Sequence, residues 1–181
     1  MDLDAINQFR LLKEDLSIHK HDDRYWFKEI NSVDDDPIGL QKVIDFHHED
    51  LDWDATPDLE EVQKRINFGS FVQLNMYEDK VIGWNWTNTK CVTIDWKSFY
   101  QPLKSNELYI GGGFFTRKHR PFPNSAIVGY RQGFEHYLNY HKKDTIYLYS
   151  DNWNRASAML CYKCGFTKYN FLNENSNIRS T

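Results

Sequence analysis

The chain has 181 residues, with 22 Lys and Arg against 26 Asp and Glu, a net charge of −4 and three cysteines. That length carries a sizeable core, and the acidic balance argues against a broad nucleic-acid footprint. Three cysteines make no disulfide framework, no apolar run approaches the ~18 residues of a membrane span, and Met1-Asp2-Leu3-Asp4 is no basic-then-apolar leader, so a soluble cytoplasmic protein is expected.

No repeat, low-complexity tract or Pro/Gly/Ser linker divides the chain. The expected organisation is an N-terminal helical extension over 1–23 and a single domain over 24–181. Leu3, Ile6, Phe9, Leu12 and Leu16 recur at helical spacing and predict an amphipathic helix over 2–17. Tyr25 to Ile30 reads as a strand, ended by the turn Asp34-Asp35-Asp36-Pro37. Pro37 suits the first turn of a helix reaching about Asp50. Asp58 to Phe68, with Leu59, Val62 and Ile66, predicts a second helix closed at Gly69. Phe71 to Met76 and Lys80 to Thr87 are strands joined at Glu78-Asp79. Glu107 to Thr116 is a Gly-rich strand, and Ile127 to Tyr140 is a helix.

The ending carries most information. Thr145-Ile146-Tyr147-Leu148-Tyr149-Ser150 reads as a buried strand. Asn152 or Asn154 can cap the next segment, where Ala156, Ala158, Met159 and Leu160 favour helix. Gly165 stands where a helix end needs positive φ, and Phe166 opens another apolar run. A polar turn at the carboxyl end of such a strand is where open α/β sheets bind ligands.

This segment resembles the last motif of the GNAT superfamily of N-acetyltransferases. Asn154, Ser157, Leu160, Lys163, Gly165 and Phe166 fall into its spacing, while Cys161 holds the family's Tyr position, with Tyr162 one place on. The element order is similar over residues 24–172. The resemblance implies a three-layer α/β (α+β) fold, with a mixed, mostly antiparallel sheet of about six or seven strands and helices on both faces. It also implies acetyl-CoA as co-substrate, no metal, and direct attack of an amine within a ternary complex.

The family holds the CoA pyrophosphate on a loop reading Gln or Arg, two residues, Gly, one residue, then Gly or Ala. Here Arg120 takes the first position, Pro123 replaces the first Gly, and Ser125 or Ala126 takes the last. Proline has no N–H, so one donor is missing. Asn124 and Ser125 can cap the following helix, Ser125 to Ile127 offer amides to an anion, and Arg117 to Arg120 are all cationic or titratable. Phe115 closes the Gly-rich strand and joins this cofactor-binding set with Asn154, which can hold the pantetheine or a bridging water.

Amide formation from a thioester needs a neutral amine, a donor for the oxyanion and help for the leaving thiolate. Glu107 is the candidate base, with the alternative of an exposed charge at a strand start. Tyr162 or Cys161 is the candidate acid; the tyrosine is the better acid, displaced ~100° around the helix. Tyr109 shares a face with Glu107 and is either acceptor wall or core. Gly111, Gly112 and Gly113 would let the pantetheine run close to the backbone. His47-His48-Glu49-Asp50-Leu51-Asp52-Trp53-Asp54 reads as a connector suited to a cationic amine, or as a solvated helix end. Trp84 and Trp86 share a strand face and, with Trp53, form a pocket wall or core. Cys161-x-x-Cys164 lies within a helix without a second pair, so it is no metal motif.

The function expected is transfer of an acetyl group from acetyl-CoA to an amine of a small molecule or peptide, without nucleic-acid or membrane partners and with a homodimer possible. The alternatives are a similar module binding CoA or an effector without efficient catalysis, and a structural or interaction domain.

Overall fold

The computed structural model describes residues 6–16, 21–50, 57–93 and 99–170. The chain opens on a strand, β1 (Ile6–Leu12), where the apolar spacing had predicted a helix. Phe9 and Leu11 are buried on one face while Ile6 is buried on the other. A short run with both faces covered carries no periodicity that tells strand from helix. The strand pairs along its whole length with β8 (Thr145–Asp151) and also with β9 (Thr167–Lys168), so it is an interior member of the sheet.

The next elements follow the expected order: β2 (Tyr25–Ile30), α1 (Pro37–Asp50), α2 (Leu59–Asn67), β3 (Phe71–Tyr77) and β4 (Lys80–Asn88). Asp58 caps α2 by accepting the Glu61 N–H at 2.8 Å. A small hairpin that the sequence did not suggest, β5 (Cys91–Thr93) with β6 (Phe99–Pro102), precedes β7 (Glu107–Phe115). Then come α3 (Ser125–Tyr140), β8, α4 (Arg155–Lys163) and β9. The helix-to-strand turn after α4 needs Gly165, at φ 96°, where a Cβ would lie 2.8 Å from the Asp15 carbonyl oxygen.

The main sheet has seven strands in the order β2-β3-β4-β7-β8-β1-β9, antiparallel except for β7 beside β8. Val43 and Ile44 of α1 and Val62 of α2 pack on Val72, Leu74 and Trp84. Phe134 and Tyr137 of α3 and Cys161 of α4 pack on Phe71, Leu108 and Ile146. Phe71 and Val72 are neighbours on one strand and point oppositely, so the two helix pairs cover opposite faces. This is the expected three-layer, mostly antiparallel architecture.

One irregularity positions the site. Pairing between β4 and β7 steps from Trp86↔Gly112 to Thr87↔Ile110, which leaves Gly111 as the extra residue of a bulge. Parallel pairing of β7 with β8 stops at Ile110↔Leu148, although the strands run on to Phe115 and Asp151. A bulge bends its strand, and here it turns β7 away from β8. The two parallel strands therefore part toward their carboxyl ends.

Candidate functional site

A cleft of about 640 Å³ opens at these parted ends, between the β7–α3 loop and the β8–α4 turn. Phe115, Arg120, Asn124 and Ala126 line one side, and Asn154 and Ser157 the other. Arg117, Arg120 and Lys163 contribute cations against the single carboxylate of Asp151, so the cleft is basic on an acidic protein. Trp153, also in its wall, is 71 % exposed and offers a bare aromatic face beside these charges.

The basic loop is braced rather than free. Asp50 accepts the backbone N–H groups of Arg117 and Lys118, the latter at 3.2 Å. Lys118 Nζ donates to the Glu49 carbonyl, and the His119 ring lies 3.1 Å from the Glu49 carboxylate and stacks on Phe46 at 4.4 Å. Arg120 Nε donates back to the Thr116 carbonyl at 3.1 Å. Glu49 and Asp50 thus hold the loop instead of standing open to an amine; Leu51 to Asp54 lie outside the described residues.

The start of α3 differs from expectation. Asn124 is left-handed, at φ 64°, and its side chain makes no capping bond. The Ser125 N–H donates to Phe122 O at 3.1 Å and the Ile127 N–H to Asn124 O at 3.0 Å, so these two amides are already engaged. Pro123 allows φ near −65° only, and the chain reaches the helix through a tight turn that uses these donors internally. Ser125 is buried, its carbonyl accepting the Tyr25 O–H at 2.9 Å, and it does not line the cleft. Asn154, by contrast, lines the cleft and caps α4 by accepting the Ser157 N–H at 3.0 Å.

Behind the cleft, where β7 and β8 part, lies a chamber of about 60 Å³. Its wall includes Asn85, Gly112, Gly113, Tyr130 and Cys161. Tyr130 also lines the outer cleft, so it stands at the junction of the two spaces. Burial pushes the Cys161 thiol up to about 12, which leaves it neutral and a poor proton donor. Tyr162 points elsewhere: it is 51 % exposed and meets Phe9 edge-on at 5.4 Å.

The remaining predicted residues are not brought to the cleft. Glu107 sits at the opposite end of β7, where its carboxylate accepts the Lys104 N–H at 2.8 Å and the Tyr147 O–H at 3.1 Å. It braces the turn into β7. Tyr109 is buried against Val92 and Tyr147 and stacks with Tyr149 at 6.4 Å. Trp84 and Trp86 pack together at 5.7 Å in the core beneath α1 and α2; Trp53 is outside the described residues.

Four residues of the site were not singled out from sequence: Tyr130, Asn85, Trp153 and, as an individual group, His47. The His47 ring lines the cleft 4.6 Å from Phe114 and 6.4 Å from Trp84, and burial lowers its pKa below 6.5. It is therefore neutral at pH 7, as a proton acceptor must be. Only its place in the His-rich connector marked it in the sequence. Among the described residues no group of three His, Cys, Asp or Glu is placed to hold a metal ion, and no helix is long and apolar enough to cross a membrane.

No family model matches the sequence, and no curated protein is similar to it at a significant level. Solved structures do share its fold. A GCN5-related N-acetyltransferase from Kribbella flavida aligns over 96 % of this chain and 60 % of its own at 8 % identity, with a TM-score of 0.50. A tandem GNAT protein from the clavulanic acid biosynthesis pathway aligns over 93 % and 51 % at 11 % identity, with a TM-score of 0.56. An aminoglycoside acetyltransferase from an uncultured soil metagenomic sample, in complex with sisomicin, aligns over 88 % and 100 % at 13 % identity, with a TM-score of 0.55. The chain spans 60 % and 51 % of the length of the first two. Its fold is that of the GNAT acetyltransferases.

Proposed function

We propose that this protein is an N-acyltransferase that moves an acetyl group from acetyl-CoA to a primary amine of a small molecule or peptide, in the cytoplasm and without a metal. The observation that carries the reading is the basic cleft at the parted ends of β7 and β8, with Arg117, Arg120 and Lys163 in its wall and Trp153 bare at its side. Cations with an exposed aromatic face suit a ligand of phosphates and a flat base. Acetyl-CoA would supply the activated acyl group as its thioester. Arg120 and its neighbours would take the phosphates despite Pro123, Asn154 would hold the pantetheine, and the β7 backbone beyond Ile110, where its pairing with β8 ends, would receive the oxyanion. His47 would take the proton from the amine. Holding both reactants in one cleft supplies roughly 7–11 kcal/mol of the barrier in well-aligned reactions.

The second reading, a module that binds CoA or an effector without efficient turnover, draws on Pro123 in the loop and on the neutral Cys161 thiol at the family's acid position. Isothermal titration with acetyl-CoA and with CoA, comparing wild type with Arg120→Ala, tests binding first. Micromolar affinity that weakens in the variant supports the cleft assignment, and binding of neither ligand removes the acyl-transfer reading and leaves only an effector other than CoA for the second. Release of free thiol in the presence of sisomicin, a lysine-containing peptide and simple alkylamines then separates enzyme from binding module. The aminoglycoside enzyme of the same fold makes sisomicin the first acceptor to try.

A further inference from the structure

We infer that Tyr130, on α3, supplies the hydrogen bond that eases departure of the thiolate, a role for which Tyr162 is not placed and Cys161 is the weaker donor. The inference rests on the acyl-transfer reading and goes beyond it by moving this role to a different helix.

Position is the first argument. The thioester must reach the gap between β7 and β8, because parallel pairing of the two strands ends there at Ile110↔Leu148 and the cleft ends there. Tyr130 lines both the cleft and the chamber behind it. Its ring is fixed between Phe115 at 4.8 Å and Phe134 at 5.8 Å, so the hydroxyl is aimed before any ligand arrives.

The second argument is what the hydroxyl meets. A Cβ on Gly113 would lie 2.9 Å from Tyr130 Oη and 2.5 Å from Asn85 Oδ1, so both polar atoms converge over this glycine. Asn85 is 0 % exposed, its Nδ2 donates to Asn75 Oδ1 at 3.4 Å, and its Oδ1 has no partner among the described residues. A buried acceptor left unpaired is costly unless a ligand supplies the donor. An amine N–H does so, which brings the nucleophile to the same gap. At about 60 Å³ the chamber exceeds the ~10–15 Å³ that one water needs, which leaves room for a group as small as an acetyl.

The chemistry assigns a hydrogen bond and not a full proton transfer. The amine lone pair attacks the carbonyl carbon, the new C–N bond forms, and the C=O π pair moves onto oxygen. As that pair returns, the C–S bond breaks and its electrons go to sulfur. An alkyl thiol is more acidic than a phenol whose pKa desolvation has raised above its ordinary value, so Tyr130 keeps its proton and shares it with the sulfur. The surplus proton on nitrogen leaves through His47 to solvent, and the thiolate takes a proton from solvent. Cys161 lines the same chamber, but a thiol is the weaker hydrogen-bond donor.

Tyr130→Phe tests this, since it removes one oxygen and keeps the packed ring. Rates are compared with acetyl-CoA and with 4-nitrophenyl thioacetate, whose leaving thiol is far more acidic, on the amine that the acceptor screen returns. The expected result is a fall in kcat of about 100-fold or more with acetyl-CoA, with KM and CoA affinity within about twofold, and a loss of only a few-fold with the aryl thioester. Equal losses with both donors would show a packing role and overturn the inference, as would an unchanged rate with acetyl-CoA. Wild type that binds CoA yet releases no thiol with any amine overturns the acyl-transfer reading, and this inference with it.

Discussion

The carboxylate of Asp50 holds the backbone N–H of Lys118 at 3.2 Å, and through its other oxygen that of Arg117, so the end of α1 fixes the start of the basic loop. Asp50→Ala releases the loop and also removes a negative charge near the cleft. The first effect is the larger: hydrogen bonds to a charged acceptor are each worth about 1.5–3 kcal/mol, and one screened surface charge contributes about 1 kcal/mol or less. CoA affinity should therefore fall, by about three- to tenfold, in isothermal titration. Amide exchange at Arg117 and Lys118 should quicken in the same variant. Tighter CoA binding would show that charge, not bracing, is the main contribution of Asp50.

Gly113 is required by Asn85 and Tyr130, which occupy the space of its missing side chain. Gly113→Ala should cost about 1–3 kcal/mol in urea unfolding, the usual cost of overpacking. In a double-mutant cycle with Asn85→Ala, part of that cost should disappear because the nearer obstacle is gone. Additive costs would place the strain elsewhere.

Burial holds both His47 and His136 below the ordinary 6.5. In the unfolded chain each titrates near 6.5, so below that pH the unfolded state binds protons the folded state refuses. Stability is full above about 6.5 and is lost as pH falls through the folded values. Urea midpoints at pH 7.5 and 5.5 should show this loss, and His136→Gln should reduce it. Glu29, held low by the hydrogen bond from His141, contributes separately: its share persists until pH falls below the ordinary carboxylate range near 4.3. For activity, Asp50 raises and His48 and Arg65 lower the His47 value, and Arg117, Arg120, Lys163 and Asp151 share its cleft. As the base, His47 predicts a kcat/KM that falls on the acid side below pH 6.5 with unit slope, and His47→Gln should abolish that limb.

Burial also raises Cys161 and Cys164 to about 12 and Cys91 to about 11. All three are thiols and not thiolates at pH 8, and all are buried. The native protein should consume almost no Ellman's reagent over minutes, and the protein in guanidinium should consume three equivalents. Fast reaction of one cysteine in the native state would place it in an open, electropositive setting.

Phe9, fully buried on β1, ties the N-terminal strand into the core beside Cys161, Cys164 and Phe166. Phe9→Ala should cost about 3–5 kcal/mol, a large fraction of the ~5–15 kcal/mol that holds a domain together. A loss below 1 kcal/mol would indicate that residues 6–12 are dispensable.

The sequence by itself determined β2, α1, α2, β3, β4, β7, α3, β8 and α4, nearly to the residue, because local chemistry marks them. Asp58 and Asn154 cap, Gly69 and Gly165 close, and the apolar periods in between are long enough to read. Resemblance to the GNAT motifs grouped Arg120, Asn154 and Phe115 in one cofactor-binding set, and the fold brings them to one cleft because the carboxyl ends of adjacent parallel strands share one edge. Tertiary structure alone decided that residues 6–12 extend instead of coiling. A seven-residue segment covered on both faces takes its conformation from the strands it pairs with, not from its own pattern. It also decided which of several plausible side chains reach the cleft. Glu107 shares a strand with Phe115 but lies at its far end, and Tyr162 lies one residue from Cys161 but on another helix face. His47 from α1 lines the cleft, Asn85 from β4 lines the chamber behind it and Tyr130 from α3 lines both, around the gap left where the Gly111 bulge turns β7 away from β8. That convergence depends on contacts between residues distant along the chain, and no local spacing encodes it.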